Sequence, residues 1–183
     1  MVTFINKGNT CYFNVLMQIM LHMKQPVTQG ESQCGKHWYR IYHKLLNLSL
    51  YVAFDPKLLF KFLDWGTRFT PGKPHDTHEA FLHLIEQIGD ADFKMEMIEI
   101  MITPDTPYEK HFKHTPEVSI DIAVNYKTLE ECLDDYFKTN IITGWIDSQK
   151  NERTLLKSTI MNSSPRNLVI LLRQTYFKKK TAI

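Results

Sequence analysis

Asn6-Lys7-Gly8-Asn9-Thr10-Cys11-Tyr12-Phe13-Asn14-Val15-Leu16-Met17-Gln18 is the stretch on which the reading of this chain turns. It opens polar and then becomes apolar at helical spacing, with Tyr12, Val15, Leu16, Ile19, Met20 and Met23 on one stripe. Asn9 or Thr10 can cap such a helix with its side chain, and Pro26 and Gly30 end it. Cys11 then falls in the first turn. A cysteine there meets the positive end of the helix dipole, which favours the thiolate, the nucleophilic form. Gly8 lets backbone come close to a substrate. The side-chain amide of Asn6 can donate to a developing oxyanion. Free cysteines are also often small buried hydrophobes, so position alone leaves both readings of Cys11 open.

Downstream, a second helix fits Lys36 to Leu48, with Trp38, Ile41, Tyr42 and Leu45 on one face. A third opens at Asp55-Pro56, an N-cap followed by proline at the first helical position. It carries Leu58, Leu59, Phe62 and Leu63. Trp65 to Pro74 reads as a loop with two glycines and two prolines. Asp76-Thr77-His78-Glu79 reads as a capping box leading a helix with Phe81, Leu84, Ile85 and Ile88 buried, closed by Gly89. The first ninety residues are therefore expected to be all-helical.

The second half changes character. Met95 to Ile102 reads as a strand, and Val118, Ile120, Ile122 and Val124 alternate as a half-buried strand does. Thr128-x-x-Glu131 is another capping box, before a helix with Leu129, Cys132, Leu133, Tyr136 and Phe137 on one side. Ile141 to Ile146 and Leu168 to Leu172 are further strands, the second apolar enough to be central in a sheet. A helical lobe followed by a sheet-rich lobe is an α+β fold.

Composition narrows the function classes. The chain has 183 residues, 22 basic and 20 acidic, for a net charge of +2. Leu, Ile, Val and Phe make up over a quarter of it, enough to bury a core, so intrinsic disorder is excluded. No basic excess exists to neutralise many phosphates, which argues against nucleic acid. Lys178-Lys179-Lys180 is the one basic run, at a terminus. No signal peptide or membrane-spanning apolar run is seen, so a soluble, intracellular protein is expected. Cys11, Cys34 and Cys132 are odd in number and include no Cys-x-x-Cys, which argues against disulfides and thiolate zinc. Cys132 is expected in the core, and Cys34 in a polar loop. His75 and His78 are three apart without a third ligand nearby, so no metal site is expected.

The stretch from Asn6 to Gln18 closely resembles the cysteine box of the ubiquitin-specific proteases, with Asn6, Gly8, Asn9, Thr10, Cys11, Tyr12 and Asn14 in register. Val15 stands where that box has Ser, and Met17 where it has Leu. Three further blocks follow in family order. His75 to Leu82 resembles the Q-Q-D-A-H-E-F-L segment, with His75 for the second Gln, Thr77 for Ala and Ala80 as an extra residue. Leu129 to Phe137 resembles a Leu-Glu-Glu-Cys-Leu helix, and Pro165 to Arg173 a late strand of the sheet.

The resemblance implies a papain-like thiol hydrolase. It would be one partial catalytic domain over 1–183, with a helical thumb lobe at 1–90 and an incomplete β-rich fingers and palm lobe at 91–183. Cys11 would be the nucleophile and Asn6 the oxyanion stabiliser. Asp76, with Glu79 beside it, would hold ubiquitin's extended tail, in competition with the capping role of Asp76. Ubiquitin or ubiquitinated proteins would be the partners, in the cytoplasm or nucleus, with no cofactor, no metal and no membrane.

The chain departs from the family pattern in two places. The family's base lies in a late Gly-His-Tyr box, and no histidine follows His114 here; no general base is identified. The zinc-binding Cys-x-x-Cys pairs of the fingers are absent. The expectation is a chain cut short before the histidine, one that a second polypeptide completes, or a non-catalytic ubiquitin-binding pseudoprotease.

Overall fold

Apolar side chains at the spacing i, i+3, i+4, i+7 select the buried face of the first helix, α1 (Cys11–His22): Phe13, Leu16, Met17 and Met20. A computed structural model describes residues 2–23, 32–48, 53–62, 65–70, 72–89, 91–104, 110–147 and 149–173. The expected helix end at Pro26 and Gly30, Leu63, the side chains of Leu58 and Phe62, and Lys178 to Lys180 lie outside the described residues. The chain divides into two compact units, Met1–Phe93 and Lys94–Ile183.

The first unit is not all-helical as expected. Two short strands, β1 (Thr3–Phe4) and β2 (Ala53–Phe54), pair in parallel with Phe4 opposite Phe54. Two-residue strands leave no alternation to read. Val15 and Ile19, expected on the buried stripe of α1, are each half exposed. The helix is apolar around more than one face, so its periodicity admitted two stripes.

Helix α2 (Gln33–Leu46) starts three residues earlier than expected, because Ser32 caps it by accepting from the Gly35 N–H at 2.8 Å. Cys34, expected in a loop, therefore lies in its first turn, and burial pushes that thiol's pKa up. Two short helices follow, α3 (Lys57–Phe62) and α4 (Trp65–Arg68), the latter inside the expected loop. Helix α5 (Thr77–Ile88) is capped by Asp76, whose Oδ1 accepts from the Glu79 N–H at 2.9 Å. The reciprocal half of the expected capping box is missing: Glu79 pairs with Arg68 at 3.5 Å instead. Helices α1 and α2 both pack on α5, and Trp38, Tyr42, Leu45, Leu84 and Ile88 are almost wholly buried with Phe13 and Met17. Each such side chain contributes about 1.5–3 kcal/mol of burial.

In the second unit, β3 (Met95–Ile102), β4 (Lys110–Glu117), β6 (Asn140–Ile146) and β7 (Glu152–Ser163) form one antiparallel sheet in the order β4-β3-β7-β6. Strands β5 (Ile120–Ala123) and β8 (Ile170–Arg173) form a parallel pair, Ile120 opposite Ile170. Val118, Val124 and Leu168 fall outside these strands. The late strand, expected to be central, has β5 as its neighbour among the described residues. Met95 and Met97 share one face of β3 and pack with Ile120, Ile122 and Cys132 of helix α6 (Leu129–Phe137). Thr128 and Glu131 close a full capping box on α6, as expected, although Leu129 stays exposed.

The turn between β6 and β7 is gathered around one carboxylate. Asp147 Oδ1 accepts from the Gln149 and Asn151 N–H groups, each at 2.8 Å, and Oδ2 from Arg153 Nε at 3.0 Å. The Asn151 N–H first, then Arg153, hold the Asp147 carboxyl below the usual carboxylate range. Among the described residues, no helix is long and apolar enough to cross a membrane.

Two measurements check these local forces. Gly89 sits at φ 65 with open space where a Cβ would go, so Gly89→Ala isolates backbone strain. It should lower unfolding stability by about 1 kcal/mol in a denaturant titration; no loss would contradict the left-handed cap. A carboxylate depressed on folding stabilises above its unfolded pKa and loses that contribution as pH falls through its folded value. The amide resonances of Gln149 and Asn151 should therefore titrate with a midpoint below about 3.9, and stop doing so in Asp147→Asn. A midpoint above that value would rule out the depressed carboxyl.

Candidate active site

Cys11 is the first residue of α1 and is exposed. Among the described residues it makes no hydrogen bond with any histidine. The loop before it is shaped by backbone conformation. Gly8 lies at φ 86 and Asn9 at φ 53, two successive left-handed residues, the second of a type that tolerates it. This brings three donors onto one atom. Asn6 Oδ1 accepts from the Gly8 N–H at 3.1 Å, the Thr10 N–H at 3.2 Å and the Thr10 hydroxyl at 3.1 Å. Thr10 Oγ1 in turn accepts from the Lys7 N–H at 3.0 Å. The expected side-chain cap on α1 is therefore absent: the Thr10 hydroxyl is committed to the loop. Asn6 Nδ2 makes no hydrogen bond among the described residues, and its two N–H groups are the donors left to offer.

The strand before the loop is clipped to the helix after it. Asn14 Nδ2 donates to the Phe4 carbonyl at 3.3 Å, and Gln18 Nε2 to the Val2 carbonyl at 2.6 Å. Four residues of helix rise about 6 Å, and two residues of strand about 6.6 Å, so the two spacings match. The loop is also fixed from its outer side. The Ile5 N–H donates to the Phe54 carbonyl at 3.0 Å. Lys7 Nζ lies 2.9 Å from Asp55 Oδ2. That lysine first, then the Lys57 N–H, lowers the Asp55 carboxyl.

The second sequence block comes to the first through Tyr12, Asn9 and His75. The Tyr12 ring meets His75 at 5.3 Å between centroids and Phe69 at 5.8 Å. Asn9 Nδ2 donates to the Gly72 carbonyl at 2.7 Å. His75 Nε2 lies 3.2 Å from the Thr70 carbonyl, which only accepts, so that nitrogen carries the proton. Asp76 and Glu79 are exposed at the start of α5. Asp76 uses Oδ1 for capping, and Oδ2 has no partner among the described residues. No group of three or more histidine, cysteine or acidic residues that could hold a metal occurs among the described residues.

Sequence reasoning missed the roles of Asn9, Asn14, Gln18 and the Lys7–Asp55 pair. Asn14 and Gln18 did carry a signal, as two amides four apart on an otherwise apolar helix. Asn6→Ala should cost about 1–2 kcal/mol in denaturant unfolding, because buried Thr10 loses its acceptor. Asn6→Asp keeps an acceptor oxygen there and should retain most of that stability. Equal losses in the two variants would refute the role given to Oδ1.

The structure is similar to the SAGA Ubp8/Sgf11/Sus1/Sgf73 DUB module bound to ubiquitin aldehyde, at 17% identity and a TM-score of 0.69. The match covers 94% of this chain and 47% of that one, so this chain spans about half its length. The two share the papain-like α+β fold. No curated protein sequence matches. A model of the family described as ubiquitin carboxyl-terminal hydrolase matches residues 2–183. With the match running over nearly every residue, this chain belongs to the ubiquitin carboxyl-terminal hydrolase family.

Proposed function

We propose that the chain acts on ubiquitin as a thiol hydrolase. The carrying observation is the exposed Cys11 at the start of α1, five residues beyond an amide whose oxygen is spent and whose N–H groups are not. The Cys11 thiolate attacks the carbonyl carbon of ubiquitin's C-terminal glycine. The oxyanion so formed accepts from Asn6 Nδ2. Collapse of the tetrahedral species forms a thioester and expels the amine, which takes a proton as it leaves. Water then releases ubiquitin. Asp76 Oδ2 and the Glu79 carboxylate accept from N–H groups of the extended ubiquitin tail. Residues 1–90 serve as the thumb and 91–183 as part of the fingers and palm of one catalytic domain. Cytosolic or nuclear conjugates are the substrates.

The amine's proton comes from a general acid, which a histidine supplies in such enzymes, and positioned acid–base groups contribute roughly 100- to 10,000-fold. No histidine bonds to Cys11 among the described residues, and a histidine brought by a further polypeptide segment is the group we assign to that role. The same observation favours a second reading, a module that binds ubiquitin without cleaving it.

A ubiquitin carrying an electrophilic C-terminus separates the two. Labelling of the chain, abolished in Cys11→Ala, supports the hydrolase. Ubiquitin binding with no labelling supports the binding module. Ubiquitin aldehyde tests the oxyanion role. Asn6→Asp should weaken its capture by about 100-fold, in line with the loss of one oxyanion donor, while folding as the parent does. Unchanged capture would remove Asn6 from the mechanism.

A further inference from the structure

A cavity of about 250 Å³ lies behind the Cys11 loop, within the first unit. Neither Cys11 nor Asn6 lines it. One wall is the loop itself together with the Tyr12 ring; the other comes from α3, from Gly66 of α4 and from Phe69, Thr70, Gly72 and Lys73. Tyr12, Phe60 and Phe69 make its walls aromatic. Three lysines line it, Lys7, Lys57 and Lys73. Lys7 is bound by Asp55. Lys57 and Lys73 make no ion pair among the described residues, and the Asp55 carboxylate near Lys57 is already engaged by Lys7 and by the Lys57 N–H.

We propose that this cavity binds a small carboxylate carried on a flat aromatic body. Aromatic walls favour a ring that stacks or meets them edge-on. Two lysines at the same cavity supply the counter-charge for one anionic group. The volume is below the roughly 300–1,000 Å³ of sites for drug-sized ligands, so the ligand is fragment-sized. The site is coupled to the nucleophile by construction. Gly8 and Asn9, both at positive φ, form part of its wall, and the Asn9–Gly72 hydrogen bond joins that wall to the opposite one. Filling the cavity therefore bears on the loop that presents Cys11. Nothing in this depends on hydrolysis of ubiquitin.

Titration with 2-naphthoate, followed by the amide resonances of the full chain, tests the proposal without ubiquitin. Saturable shifts at Gly8, Asn9, Gly72 and Lys73 are expected. The neutral isostere 2-naphthalenemethanol should bind about five-fold more weakly, the scale set by two exposed ion pairs. High salt should weaken the acid and spare the alcohol. The double variant Lys57→Gln, Lys73→Gln should bring the acid down to the alcohol. Equal binding of the two probes by the parent chain, shifts centred elsewhere, or no saturation at millimolar probe would overturn the site.

Discussion

The two ends of the Asn6 carboxamide do different work, and the geometry around Cys11 follows from that division. The oxygen collects the Gly8 and Thr10 N–H groups and the Thr10 hydroxyl. Those donors converge only because two residues in a row take left-handed backbone. An amide has one acceptor oxygen and one donor nitrogen, so fixing the first orients the second. Thr10 is buried and its hydroxyl is committed to the same cluster. The helix that begins one residue later therefore starts without a side-chain cap, and its first residue is the exposed thiol. Loop shape, helix start and donor direction are one constraint.

The helix that begins at Cys11 and the N-cap at Asp76 were legible because both depend on local chemistry. An apolar stripe at helical spacing marks the first, and an acidic residue three before another marks the second. The left-handed pair Gly8 and Asn9 was not read from the sequence. The contacts between the blocks were not legible. Tyr12 against His75 and Asn9 on Gly72 join residues more than sixty positions apart, and no periodicity reports that. The expected capping box at Asp76 half failed because Arg68 offered Glu79 an opposite charge. A carboxylate has two competing uses at a helix start, and sequence spacing does not rank them.

In the second unit, strand β3 was legible from its apolar content, while β4 and β7 were passed over. Strand β4 reads Lys-His-Phe-Lys-His-Thr-Pro-Glu, and charges and proline are what an edge strand carries to discourage further pairing. Strand β7 is interior, yet its apolar residues come as the pairs Leu155-Leu156 and Ile160-Met161, separated by Lys157, Ser158 and Thr159 with no period-two pattern. Its place comes from the ladders on either side, Met97 opposite Met161 and Ile141 opposite Leu156. Strand propensity is context more than composition. Cys132 was placed correctly because it shares a helical face with Tyr136 and packs against Met95 and Met97.

The clip between α1 and the strand before it makes the first eighteen residues sensitive to length. Asn14 and Gln18 reach Phe4 and Val2 because a helical rise of four matches a strand advance of two. Val15 lies between the two amides and is half exposed, so a substitution there leaves the clip in place. One inserted residue between 14 and 18 is another matter. It would swing Gln18 by about 100° around the helix and detach the Val2 carbonyl. In this stretch the number of residues between the two amides matters as much as their identity.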